Sequence, residues 1–206
     1  MPCAHGGDVR YLCLQSVLSK PLRVKGKVQP YPKAQRYKDI QLYMTLVKKE
    51  FPNIKMGIVD ALPSHGKDYK GLKDHLAKAN LVLDHIDLDI PCEIPDKKRN
   101  GMSWQKVKAV EEYVQKEIGC SFGLVCTSRV AGYKSDEAYH KAVLSVLGSH
   151  TKTGGHPDRY LIMSWFPHPK TSIPDSATGK SYPVMRTVLE FGRQLETMKV
   201  DEKKKK

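Results

Sequence analysis

Short apolar runs alternate with amphipathic helical segments along this chain, and this alternation restricts the fold more than any other feature. Runs of strand type occupy residues 54–60, 81–90, 121–127 and 160–166. Apolar residues recur at helical spacing over residues 36–51, 69–79, 103–118, 135–147 and 185–195. Strands separated by helices must be parallel, because parallel pairing needs a long crossover connection. The sequence therefore predicts an α/β fold with a parallel sheet.

Two architectures contain parallel strands that alternate with helices: the (β/α)-barrel and the open doubly wound sheet. A complete eight-unit barrel needs about 250 residues, whereas this chain has 206. No glycine-rich phosphate-binding motif follows any of the apolar runs, which weakens a nucleotide-binding interpretation of the open sheet. We expect a TIM-barrel-like fold that is incomplete, with a small open doubly wound sheet as the alternative, and no cofactor.

Basic residues are concentrated at the two ends of the chain. Lys and Arg number 35 against 22 Asp and Glu, and the last four residues are all lysine. We interpret residues 1–35 as a basic N-terminal leader, residues 36–200 as a single α/β domain and residues 201–206 as a Lys-rich tail. Such ends permit contact with a nucleic acid or a larger assembly, in which case affinity falls as the salt concentration rises.

Hydropathy and cysteine content restrict the compartment. No apolar run approaches the roughly 20 residues that span a bilayer, so no membrane span is expected. The first residues lack the apolar core of a secretory signal, which makes an intracellular location the default expectation. Five cysteines form no CxxC pair, and this pattern predicts free thiols rather than a disulfide framework or a metal site.

Acidic residues fall where the predicted strands end. Asp60 ends the first strand, and His85, Asp87 and Asp89 alternate along one face of the second. Chemistry in parallel α/β folds collects at the carboxyl ends of the strands. Two close carboxylates repel, so that one keeps its proton and serves as a general acid while the other stays ionised. We expect Asp87 and Asp89 to be the acid/base or electrostatic pair, with Asp60 as a candidate second carboxylate.

Further polar and aromatic residues follow the same strands and are candidates for substrate contacts. Trp165 is either a stacking platform for a sugar ring or an apolar side chain of the core. A lone carboxylate or histidine at a strand end can also serve only to order a loop. The predicted substrate-binding residues are His65, His85, Glu93, Arg129, Trp165 and His168.

Four segments, at residues 83–91, 122–126, 135–139 and 154–169, resemble uncharacterised glycoside-hydrolase-type TIM-barrel proteins, and the similarity extends over about residues 54–195. The resemblance implies a carbohydrate-directed barrel whose site acids lie on the strand with Asp87 and Asp89, and it allows a secreted protein. This chain departs from that pattern because it shows no export signal, too few βα units and no second Glu at the end of a later strand.

Two classes of function remain open. The first is a glycan-directed hydrolase, or a degenerate relative that binds a carbohydrate without cleaving it. The second is a non-enzymatic basic module that binds nucleic acid or joins a larger assembly through its ends. In either case an incomplete barrel exposes strand edges, so self-association is a further expectation.

Overall fold

A computed structural model describes residues 9–61, 66–173, 179 and 181–204 of the chain. Within these ranges the strands are Tyr11–Gln15 (β1), Leu22–Val24 (β2), Lys27–Gln29 (β3), Lys55–Asp60 (β4), His85–Asp89 (β5), Ser121–Cys126 (β6) and Arg159–Ile162 (β7). The α-helices within the same ranges are Lys33–Glu50 (α1), Gly66–Ala77 (α2), Glu93–Asp96 (α3), Trp104–Glu112 (α4), Arg129–Gly132 (α5), Asp136–Thr151 (α6) and Val184–Lys204 (α7). A 3-10 turn at Arg99–Gly101 precedes α4, and a π-helical segment at Tyr113–Ile118 follows it.

Five of the described strands form one parallel sheet, in the order β1-β4-β5-β6-β7. The prediction of an α/β fold with a parallel sheet is therefore confirmed. The strands lie side by side in chain order, whereas a doubly wound sheet reverses its strand order at a switch point. Strands β2 and β3 form a separate antiparallel hairpin.

Strand β1 was not predicted from the sequence. It lies within residues 1–35, which were interpreted as a leader, and it pairs in parallel with β4. In this register Cys13 lies opposite Gly57, and Gly57 in turn lies opposite His85 on β5. The N-terminal region thus supplies an edge strand of the sheet, and α1 begins at Lys33.

The chain divides into two compact units, and each has its own buried side chains. The first unit comprises Met1–Leu88 and Glu112–Gly123, and the second comprises Asp89–Glu111 and Leu124–Lys206. Buried apolar residues of the first unit include Ile40, Met44, Met56, Ile58, Tyr69, Leu72, Leu76, Ile86 and Phe122. Those of the second include Trp104, Val107, Leu124, Val125, Tyr139, Val143, Leu147 and Phe191.

Helix ends follow local sequence signals. Ser135 precedes α6, and its hydroxyl accepts a hydrogen bond from the Ala138 amide at 3.1 Å. Two acids, Asp136 and Glu137, occupy the first turn of α6, where the helix dipole favours negative charge. Gly119 ends the π-helical segment with a φ of 68°, a conformation that glycine adopts readily.

Among the described helices, none is both long and apolar enough to cross a membrane.

Candidate functional site

Polar side chains lie at the carboxyl ends of β4, β5 and β6, and His85 lies at the amino end of β5. Those of the first unit are Asp60 at the end of β4 and His85 and Asp87 on β5. Those of the second unit are Asp89 and Glu93, followed by the polar residues after β6. The two sets are described separately below.

Cys13, His85 and Asp87, which we call the Cys13 cluster, converge within the first unit. The Cys13 Sγ lies 3.1 Å from His85 Nε2 and donates a hydrogen bond to Asp87 Oδ2 at 3.2 Å. His85 Nε2 and Asp87 Oδ2 are 3.8 Å apart. His85 and Asp87 are fully buried, whereas Cys13 is half-buried. Three side chains that can each bind a metal therefore point at one another from β1 and β5, the two strands that flank β4.

Gly57 makes the Cys13 cluster possible. It lies on β4, between Cys13 on one side and His85 on the other. A Cβ atom at this position would stand 2.2 Å from the His85 Cδ2 atom, closer than any real contact. Since glycine has no Cβ, the imidazole of His85 occupies this space and reaches across β4 towards Cys13.

Asp60 is buried at the end of β4 and accepts a hydrogen bond from the Tyr69 hydroxyl at 2.8 Å. Burial, followed by the negative charge of Asp60, raises the pKa of Tyr69 far above its ordinary value. Tyr69 therefore stays protonated and remains a hydrogen-bond donor to Asp60. The predicted role of Asp60 as a second catalytic carboxylate stays a prediction.

Asp89, the last residue of β5, is the other predicted member of the carboxylate pair. Its side chain is half-buried, and its Oδ1 atom has no hydrogen-bond partner among the described residues. Burial raises the pKa of Asp89 to about 6, because the charged form loses hydration. Asp87 and Asp89 thus share a strand but differ in environment.

Glu93 begins α3 in the second unit and is a buried carboxylate. Its Oε2 atom accepts a hydrogen bond from the Ser128 hydroxyl at 2.9 Å, and its Oε1 atom accepts one from the Val130 amide at 2.8 Å. Ser128 also caps α5, because its Oγ accepts a hydrogen bond from the Ala131 amide at 3.1 Å. The start of α5 therefore orients the Glu93 carboxylate.

A cavity of about 620 Å³ opens beside Glu93 in the second unit. Arg99, Asn100, Arg129 and Tyr133 contribute polar groups or rings to its wall, so the predicted residues Glu93 and Arg129 meet at one cavity. Arg99 and Tyr133 were not predicted. Arg99 lies in a 3-10 turn and Tyr133 directly follows a four-residue helix, and neither position carries a periodic sequence signal.

Two predicted contacts after β7 have different environments. Trp165 is 47% exposed, so it is not a side chain of the core. His168 is half-buried, and its Nδ1 is paired with Asp136 Oδ1 at the start of α6. Asp136 Oδ1 also accepts the Lys170 amide. His168 is thus bound to the protein itself, whereas Trp165 presents its ring to solvent. The predicted contact His65 lies outside the described residues.

Cys92 and Cys126, two buried cysteines of the second unit, are poorly suited to act as nucleophiles. Burial raises the pKa of Cys92 to about 12 and raises that of Cys126 further. The reactive form of cysteine is the thiolate, so both groups are protonated and unreactive at neutral pH.

Comparison of the chain with protein-family models, with curated proteins and with solved structures finds no match.

Proposed function

We propose that this chain is a glycan-directed hydrolase that acts at the cavity beside Glu93. The observation that carries the proposal is the fixed position of this buried carboxylate, which two hydrogen bonds hold at the wall of a cavity with two arginines. Asparagine, arginine and tyrosine side chains suit the hydroxyl groups of a sugar, since they supply hydrogen bonds and an apolar ring face. A carbohydrate is accordingly the proposed substrate.

Glycoside hydrolysis needs two carboxyl groups with different tasks. Glu93 accepts hydrogen bonds on both oxygens, which fix its orientation, and we assign it the role of base. Asp89, the other carboxyl at the end of β5 in the same unit, is the proton donor. The acid gives its proton to the leaving oxygen as the C–O bond breaks, and the base takes a proton from the attacking water. Proton exchange with solvent then restores both groups.

Two further features support a carbohydrate substrate. Tyr133 is 62% exposed and lines the cavity, and Trp165 is exposed in the same unit. The parallel strands lie side by side in chain order, and this order fits a barrel-like fold better than it fits a doubly wound sheet. We further propose that the sheet is an incomplete barrel, and that a second copy of the chain covers its edge strands.

The test is release of reducing sugar from a panel of polysaccharides and oligosaccharides. We expect release by the wild type and a loss of about 10²–10⁴-fold in Glu93→Gln and in Asp89→Asn. Glu196→Gln makes the same chemical change as Glu93→Gln on an exposed position of α7 and is expected to keep full activity. Circular dichroism first establishes that each variant folds.

Asp87→Asn separates this assignment from the one made on the sequence alone. If Asp87→Asn abolishes release while Glu93→Gln does not, the catalytic pair lies on β5 and Glu93 is not part of it. Absence of release from a folded wild type would overturn the hydrolase proposal. Glycan binding without cleavage, or salt-sensitive nucleic-acid binding that is lost on removal of residues 203–206, would then be the function to pursue.

A further inference from the structure

We propose that Cys13, His85 and Asp87 form a binding site for a transition-metal ion, and that Zn²⁺ is the ion they fit best. Within the described part of the chain, this is the cluster in which three metal-ligating side chains bring their donor atoms together, all within 4.8 Å of one another. The proposal does not rest on the glycan hydrolase, because the residues concerned belong to the first unit and Glu93 to the second.

The distances between the donor atoms suit one ion at their centre. Two ligands of a tetrahedral zinc ion, with bonds of about 2.0–2.3 Å, are about 3.3–3.8 Å apart. The three separations in the cluster are 3.1, 3.2 and 3.8 Å. Movements of a few tenths of an ångström at the side-chain ends therefore convert the cluster into three corners of a tetrahedron.

The arrangement differs from a catalytic triad. In a triad the carboxylate holds the histidine nitrogen that faces away from the nucleophile. Here the carboxylate oxygen and the sulfur both approach the Nε2 atom of His85, and the sulfur also contacts the carboxylate directly. All three donors thus face a common point, as metal coordination requires and a proton relay does not.

The ligand types select among metals. A thiolate and an imidazole are favoured by Zn²⁺ and by the chemically similar Co²⁺, whereas Mg²⁺ and Ca²⁺ prefer oxygen ligands throughout. Binding forms a sulfur–metal bond and releases the thiol proton to solvent. Three protein ligands are also the usual number where water or a substrate takes the fourth position of zinc.

The sheet holds the ligands in place. Cys13 is in the middle of β1, and His85 and Asp87 are two residues apart on β5 with their side chains on one face. The missing side chain of Gly57 opens the space between them. The Tyr11 ring packs edge-on against His85, with 5.6 Å between ring centroids, and restricts the orientation of the imidazole.

The experiment is titration of the metal-free, reduced full-length protein with Zn²⁺ and, separately, with Co²⁺. We expect one equivalent to bind, and the cobalt form to show the thiolate-to-metal charge-transfer absorption. Cys13→Ser should remove that absorption and weaken Zn²⁺ binding by at least about 100-fold, since even outer-sphere partners of a metal site contribute 10- to 100-fold. Asp87→Asn should weaken binding without removing the sulfur absorption.

Cys120→Ser is the matched control, because Cys120 is a buried thiol of the same unit that bonds to the Leu83 carbonyl instead. It should bind Zn²⁺ as the wild type does. A second measurement needs no variant: Zn²⁺ should protect Cys13 from alkylation, as located by peptide mass spectrometry, and excess Mg²⁺ should not. Absence of Zn²⁺ binding by the folded wild type, or unchanged binding and absorption in Cys13→Ser, would overturn the proposal.

Discussion

At the scale of single residues, the absence of a side chain at Gly57 determines where the His85 ring can lie. The imidazole of His85 fills the volume that a Cβ would need, so the glycine and the histidine form a complementary pair on β4 and β5. The glycine is required here for close approach rather than for an unusual backbone angle.

We expect Gly57→Ala to lower the free energy of unfolding by about 1–3 kcal/mol or more, because the new methyl group overlaps the ring and the carbonyl oxygen of His85. Urea denaturation measures the change. Gly148→Ala is the control: this glycine lies within α6 with nothing near its would-be Cβ, so the substitution should stabilise the protein by up to about 1 kcal/mol. Equal effects of the two substitutions would contradict the account.

Glu111 carries a second test at this scale. It is buried in α4, its Oε2 lies 2.6 Å from His150 Nε2, and its Oε1 accepts the His156 amide at 2.6 Å. Glu111→Ala should lower the free energy of unfolding by about 2–5 kcal/mol, because the buried His150 imidazole and the His156 amide lose their partner. The neighbouring Glu112, which pairs with Lys116 near the surface, should cost less than about 1 kcal/mol when replaced by alanine. Chemical denaturation of both variants measures these changes. A loss of less than about 1 kcal/mol for Glu111→Ala would contradict the prediction and would indicate that water replaces the carboxylate.

Period-two alternation placed His85, Asp87 and Asp89 on one face, and that is the part of the site that a sequence can indicate. The Cys13 cluster could not be predicted in the same way. Cys13 is 72 residues from His85 in the sequence, and its strand shows no strong alternation of apolar and polar residues. Only the pairing of β1 with β4 brings Cys13 close to His85 and Asp87. The exposure of Trp165 also depends on the path of the chain after β7, which no local pattern records.

At the scale of elements, a polar network joins α6 to α7. His140 Nδ1 lies 3.0 Å from Thr187 Oγ1, and its Nε2 lies 3.0 Å from Glu190 Oε2. Arg186 bonds to Glu190, and the Tyr182 ring packs against His140. Burial is the largest influence on His140 and lowers its pKa below 6.5, against the opposing effect of Glu190.

The sign of the resulting pH dependence follows from linkage. Below pH 6.5 the unfolded chain takes up a proton on His140 that the folded protein resists, so the free energy of unfolding is largest above pH 6.5 and falls as the pH drops. We expect His140→Gln, which cannot titrate, to flatten the dependence between pH 7.5 and 5.5 relative to the wild type. Urea midpoints at several pH values measure both slopes. Parallel slopes would show that His140 does not contribute.

The element boundaries show where periodicity succeeds. Strands β4 and β6 were predicted within one residue of their observed ends, because short apolar runs with clear stops specify buried parallel strands. The helical spacing over residues 185–195 was a less accurate guide to burial: Met185 and Leu189 are exposed, whereas Thr187 and Phe191 are buried. The buried threonine is accommodated by its contact with His140, which a count of apolar residues cannot detect.

At the scale of the whole molecule, the parallel sheet begins with an edge strand that was first interpreted as part of a leader. Tyr11–Gln15 pairs with β4 over five residues and covers one side of that strand. Without β1, β4 would present unpaired amide and carbonyl groups, which is the arrangement that promotes association of sheets.

Removal of residues 1–16 should therefore lower the thermal unfolding midpoint and increase self-association relative to the full chain, measurable by light scattering during size-exclusion chromatography. Removal of residues 1–8 is the control, because it keeps all of β1. Monodisperse, equally stable protein after the larger deletion would show that β1 contributes little to the sheet.

The order of the sheet has a consequence for the time course of synthesis. Since β1, β4, β5, β6 and β7 lie side by side in the order in which the ribosome makes them, each new strand can join a neighbour that has already emerged. Each later strand can therefore add to the same edge of the nascent sheet, and no strand has to insert between two earlier ones. A pause in translation would leave a smaller sheet in which the strand made last has an unpaired edge, and the next strand to be made would pair with that edge.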